Sequence, residues 1–195
     1  MSTETYTRIT QIEPVAATEH SVAPRYEIRP ISPEAVRELR VRDDAGQRPR
    51  EVADEEGGAP LRCCLGRSTP GERLLLVSYA PLRRWAAETG ATPGAYDEVG
   101  PVFIHREPCA GWPDSGPQAT ATSYPAAMVG ERRVLRAYSA RGEILGGRLL
   151  IDGSAEHDGS VDEALEQWYA DPRVAAVHIR AVEYGCFHAE TRRVG

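Results

Sequence analysis

Strand-length apolar runs, each bounded by glycine, proline or a polar turn, follow one another along this chain instead of alternating with long helices. Leu74-Leu75-Leu76-Val77 comes after the turn signal Thr69-Pro70-Gly71, and Val102-Phe103-Ile104 comes after Gly100-Pro101. The segments 133–139 and 143–151 flank Ala140-Arg141-Gly142, which suits a hairpin turn. The segments 175–182 and 186–193 flank Glu183-Tyr184-Gly185 in the same way. Strands in runs pair with their antiparallel neighbours, whereas a doubly wound parallel sheet needs a helix after each strand. The order predicts an α+β fold: a single domain with one mostly antiparallel sheet of about five to seven strands and two or three helices.

The helices carry their own signals. Ser160 and Glu163 form a capping box, and Val161, Ala164, Leu165, Trp168 and Tyr169 then lie on one helical face until Asp171-Pro172 stops the pattern. Ser32 offers an N-cap before Pro33, with Val36 and Leu39 as a modest stripe, and Tyr26, Ile28 and Pro30 precede it as a short extended segment. Leu82 to Glu88 reads as one or two helical turns closed by Gly90. Residues 1–24 have few large apolar side chains and are expected to form a flexible leader to a globular domain over 25–195. The charged stretch 43–60 reads as loop. The Pro- and Gly-rich stretch 107–125 is the longest loop, with Trp112 either a lid aromatic or packed down on the domain.

Composition narrows the function classes. At 195 residues there is room for one sizeable core. No apolar run approaches the roughly 20 residues of a membrane span, and the start of the chain lacks a signal-peptide pattern. The expectation is a cytoplasmic protein with no membrane partner. All 23 basic side chains are arginine, which looks like the codon bias of a GC-rich bacterial genome. A net charge of −6 with no basic block argues against nucleic acid as a partner.

Four cysteines occur, at Cys63, Cys64, Cys109 and Cys186. An adjacent pair in a cytoplasmic chain favours free thiols, and no CxxC, HExxH, GxSxG or P-loop pattern is present. The richest stretch is the C-terminal hairpin. Simple strand alternation would gather His178, Arg180, Cys186, His188 and Glu190 on one surface, with His105 and Cys109 elsewhere, at the mouth of the long loop. Three readings stay open. In the first, Cys186 is a catalytic nucleophile activated by His178 or His188, in an enzyme that processes a small molecule. In the second, His105 and Cys109, with His178, Cys186 and His188, bind a transition metal: zinc, iron or copper. In the third, Cys186 is a small buried hydrophobe in a non-catalytic ligand-binding or protein-interaction domain. A further group, Arg62, Tyr79, Arg136 and Tyr138, would bind a carboxylate or phosphate of a substrate, unless the arginines pair with Asp54, Asp97 or Glu98.

A series of short motifs carries a resemblance. Val52-Ala53-Asp54-Glu55, Pro60-Leu61-Arg62, Leu65 and Pro70-Gly71-Glu72 are followed by Tyr96, Val102-Phe103-Ile104 and Leu135-Arg136-Ala137-Tyr138. Ala170-Asp171-Pro172-Arg173-Val174, Val177-His178 and Gly185-Cys186 complete it. In order and spacing the chain resembles the bacterial family catalogued as domain of unknown function 1203, from about Arg25 to Arg193. The resemblance implies no particular activity. It matches His178, Gly185-Cys186 and Arg62 to recurring family positions. It also implies departures: Arg180 where a second histidine is frequent, Ala181 where an asparagine is, and Leu61 where a cysteine is. Cys109 and His188 look like features of one branch.

Overall fold

The computed structural model describes residues 25–112, 124–129, 132–150 and 160–194. The leader over 1–24 and most of the long loop lie outside the described residues. Among the described residues ten strands form two five-stranded sheets, accompanied by three α-helices, so the α+β class and the mostly antiparallel pairing hold, with two sheets in place of the one expected. The first sheet has the order β1-β10-β9-β7-β8, from β1 (Tyr26–Arg29), β10 (Phe187–Arg193), β9 (Val174–Ala181), β7 (Arg133–Ser139) and β8 (Ile144–Leu150). The second has the order β2-β5-β6-β3-β4, from β2 (Arg50–Asp54), β5 (Glu72–Tyr79), β6 (Gly100–His105), β3 (Pro60–Leu61) and β4 (Gly66–Arg67). Only β3 and β6 run parallel among the described residues.

The second sheet exceeds what the sequence predicts because β2, β3 and β4 have no apolar run of their own. Arg50–Asp54 is a charged edge strand held by five backbone pairings to β5, from Arg50↔Leu76 to Asp54↔Glu72. Backbone hydrogen bonding, not side-chain burial, makes it a strand, and its charges suit an exposed edge. This corrects the loop expected across 43–60.

Helix α3 (Val161–Ala170) has both halves of the capping box and buries Val161, Ala164, Leu165 and Tyr169. These pack on Leu135, Ala137, Val177 and Ile179 of the first sheet, and Tyr169 stacks on Tyr26 of β1 at 5.2 Å. Helix α1 (Pro33–Leu39), capped by Ser32, joins the core of the second sheet through Val36 and Leu39. Helix α2 (Pro81–Thr89) ends at Gly90, whose φ of 76° suits glycine, and it lays Leu82 and Trp85 on Tyr138 and Ala176 of the first sheet. Phe187 of β10 belongs to the core of the second sheet, and the Arg62 Nε donates to its carbonyl at 2.9 Å, so the sheets are tied together there.

A bulge in β10 decides which side chains meet. Phe187 pairs with Arg180 and Ala189 with Ile179, leaving His188 as the extra residue. An inserted residue reverses the alternation on one side of it. Phe187, Glu190 and Arg192 therefore share the face of His178 and Arg180, while His188 joins Ala189 on the opposite face.

Candidate metal centre

The turn between β3 and β4 places two cysteines beside the end of β6. Leu61 pairs with Phe103, and the Arg62 N–H donates to the Phe103 carbonyl at 3.0 Å, so the chain turns over the last residues of β6. Leu65 completes the turn at φ 54°. That conformation costs a leucine about 1–2 kcal/mol, and full burial of its side chain, at 1% exposed, contributes about as much in return. The bend brings Cys63 and Cys64 to His105, the last residue of β6, and to Cys109 four residues on. One ligand atom from each of Cys63, Cys64, His105 and Cys109 lies within 4.8 Å of the others.

Cys63, Cys64 and His105 are each held by hydrogen bonds. Cys63 is buried and its sulfur accepts the His105 backbone N–H at 3.3 Å. The Cys64 sulfur lies 3.5 Å from His105 Nε2. The other ring nitrogen, Nδ1, meets Glu72 Oε1 at 2.6 Å, and Glu72 Oε2 accepts from the Thr69 N–H and hydroxyl. Register accounts for this contact, because Leu74 of β5 pairs with His105 and Glu72 stands two residues before it on the same face. A carboxylate on Nδ1 fixes the tautomer that leaves Nε2 free to bind a cation.

Electrostatics divide the cluster. The Cys63 hydrogen bond, opposed by burial and aided by His105, lowers the Cys64 thiol to about 4. The same hydrogen bond and burial push Cys63 up. His105 is raised, first by its hydrogen bond to Cys64, against burial, and then by Glu72. Burial works against the Glu72 carboxylate, but the Thr69 N–H and His105 hold it below the usual range. The cluster thus sets a thiolate-favouring Cys64 and the Glu72 carboxylate on either side of the His105 ring.

The tetrahedral geometry of zinc offers a metric test. Zn–S bonds of about 2.3 Å and Zn–N bonds of about 2.0–2.1 Å place sulfur about 3.5–3.6 Å from nitrogen and about 3.7–3.8 Å from sulfur. The Cys64–His105 separation of 3.5 Å meets the first value. The other separations, all within 4.8 Å, would have to contract towards these values around an ion, and the sulfur and imidazole donors are of the type zinc takes.

The C-terminal residues do not assemble as alternation predicts. His178 is buried, with Nε2 3.1 Å from Glu190 Oε2, and lies between the rings of Tyr138 and Phe187. Cys186 sits in the turn before β10, its sulfur bonded to the Tyr184 carbonyl and to neither histidine. His188 is on the far face, with Nε2 2.7 Å from the Met128 sulfur, beside Tyr124. The bulge is the physical reason these three stand apart. Of the metal candidates, His105 and Cys109 meet each other, and Cys63 and Cys64 complete the set instead of His178, Cys186 and His188. Sequence reading passes over that pair because the two residues lie in a short turn without CxxC spacing.

The expected substrate group also divides. Tyr79 lines a cleft of about 400 Å³ with Phe187, Glu190 and Arg192, between α1 and α2. Arg136 pairs with Glu98 at 2.7 Å, Tyr138 packs on His178, and Arg62 bonds to backbone. Trp112 packs on the core of the first sheet.

His188 has a measurable consequence. Burial first, and then the Arg133, Arg62 and Arg67 charges, lower its pKa from 6.5 to about 2. The folded state keeps the ring neutral while the unfolded state takes a proton below 6.5, so stability falls as pH falls through that window. The slope reaches about 1.4 kcal/mol per pH unit. In urea unfolding between pH 6.5 and 5, His188→Leu is expected to lose that part of the wild-type slope. An unchanged slope would show that the ring is protonated in the native state.

Comparison with curated proteins and with solved structures finds no match. The sequence does match, over residues 58–193, the family described as Protein of unknown function (DUF1203). The matched span runs from the start of the β3–β4 hairpin to the end of β10, covers more than half of the chain, and includes all four clustered donors together with Glu72. The chain belongs to the DUF1203 family.

Proposed function

We propose that this is a metal-binding protein whose Cys63, Cys64, His105 and Cys109 hold a zinc ion. The observation that carries the reading is the convergence of four soft donors within 4.8 Å, with Cys64 and His105 at the separation tetrahedral zinc requires. Three thiolates and one imidazole fill the coordination shell, which is the pattern of a closed, structural site and not of one that keeps a position for water. Zinc so held would staple the β3–β4 turn to the end of β6 and to the chain that leads into the long loop. Glu72 serves as the carboxylate behind His105. Elemental analysis of the purified chain after dialysis against metal-free buffer is expected to find close to one zinc per chain. A fully folded chain with no metal, and no thermal stabilisation on adding zinc, would overturn the proposal.

One observation favours a second reading. Cys64, His105 and Glu72 are aligned as nucleophile, base and orienting carboxylate, the arrangement of a thiol enzyme acting on a small molecule. Stripped of metal, the chain would then be alkylated by iodoacetamide at Cys64 well before Cys186. Equal, slow labelling of the two would dispose of this alternative.

A further inference from the structure

We infer that this centre responds to peroxide: a hydroperoxide joins Cys64 to Cys109 as a disulfide and thereby discharges the zinc. The inference rests on the metal reading above and adds the reactant and the outcome.

Geometry selects the pair. Adjacent residues have Cα atoms about 3.8 Å apart across a trans peptide, short of the roughly 4.4–6.8 Å a disulfide takes, so Cys63 and Cys64 do not bridge without distorting the backbone. Cys63 is moreover sealed, at 4% exposed, and anchored by the His105 N–H. Cys64 and Cys109 are each partly exposed. Cys64 stands in the turn between two short strands, and Cys109 in the irregular stretch after β6, so neither is locked in a long ladder. Their sulfurs lie within 4.8 Å of one another, and a disulfide requires that gap to close to about 2.0 Å. Thiolates that are accessible and adjacent to a second sulfur are the ones oxidised reversibly.

The chemistry balances in two steps. The Cys64 thiolate attacks one peroxide oxygen, an S–O bond forms, the O–O bond breaks, and the leaving oxygen takes a proton to depart as alcohol or water. The Cys109 sulfur then attacks the sulfenic sulfur of Cys64, an S–S bond forms, and the hydroxyl leaves with a second proton as water. Two thiolates supply two electrons, one hydroperoxide accepts them, and two protons are consumed. The ion is left with Cys63 and His105, two of its four ligands, and such a site no longer competes with a chelator.

The experiment uses the full chain with its zinc content measured beforehand. Hydrogen peroxide is added in the presence of a chromophoric zinc chelator, and the products are mapped by peptide mass spectrometry. The expected result is about one zinc released per peroxide consumed, with a Cys64–Cys109 disulfide and Cys186 still reduced. In Cys109→Ser the reaction is expected to stop at a Cys64 sulfenic acid that dimedone traps. Zinc retained through a large excess of peroxide, or released with Cys186 in the disulfide, would overturn the inference while leaving the metal reading intact. A chain that carries no zinc at all overturns both, and the prior zinc measurement tells the two failures apart.

Discussion

Cys63→Ser is expected to purify without zinc and to melt about 5–10 °C below the wild type. A ligand present at about 100 times its dissociation constant adds about 2.7 kcal/mol, and in a chain of this size each kcal/mol moves the midpoint by about 2–4 °C. Cys63 is the member most fixed by its surroundings, since it lies in the core of the second sheet and receives the His105 N–H. A serine there removes a thiolate and puts a hydroxyl among Leu61, Leu74 and Ile104, which has its own cost. A chelator separates the two contributions. It is expected to lower the wild-type midpoint and leave that of Cys63→Ser where it is. If the chelator moves neither protein, the loss belongs to packing alone and zinc contributes nothing to stability.

Glu190→Ala is expected to destabilise the chain by about 3–5 kcal/mol, the usual cost of removing one partner from a buried pair. Glu190 Oε2 meets His178 Nε2 at 3.1 Å, and its other oxygen receives the Arg192 Nε. Without the carboxylate, His178 Nε2 loses its partner while Nδ1 already has none among the described residues, and Arg192 retains only Glu88. Burial works against ionising Glu190, but the His178 hydrogen bond and the His178 and Arg192 charges outweigh it, so its pKa is lowered. A lowered carboxylate contributes stability at pH values above its ordinary range and loses it as pH falls through the lowered value. The urea midpoint of Glu190→Ala should therefore lie far below that of the wild type near neutral pH, and the two should converge in acid. A constant difference at every pH would show that Glu190 acts through shape and not through charge.

The two predictions address different parts of the molecule, and the fold explains why. Cys63 and its partners sit where the second sheet ends, at the junction of β3, β4 and β6. Glu190 and His178 lie on the face of the first sheet that turns toward α2 and β5. Both lie within the span matched to the family.

The legible parts of the fold were those in which side-chain pattern and backbone requirement coincide. The capping box at Ser160 and Glu163, the apolar run of β5, the Gly90 stop and the hairpin around Ala140-Arg141-Gly142 all carry local chemistry that specifies the element. Arg50–Asp54 and the two-residue strands β3 and β4 carry none, since pairing with β5 and β6 makes them strands. The site divides along the same line. His105 and Cys109 stand out as candidate metal ligands from residue type and position, but their partners Cys63 and Cys64 arrive through a parallel pairing between segments about 40 residues apart, which no local pattern encodes. The expected Cys186, His178 and His188 grouping relied on unbroken alternation through β10, and one inserted residue separates it.

X-ray absorption at the zinc edge reads the central proposal most directly. Three sulfur neighbours at about 2.3 Å and one nitrogen at about 2.0–2.1 Å are the expected shell. A shell made up of oxygen and nitrogen alone would mean that any bound zinc sits elsewhere on the surface and that the Cys63, Cys64, His105 and Cys109 cluster is not its site.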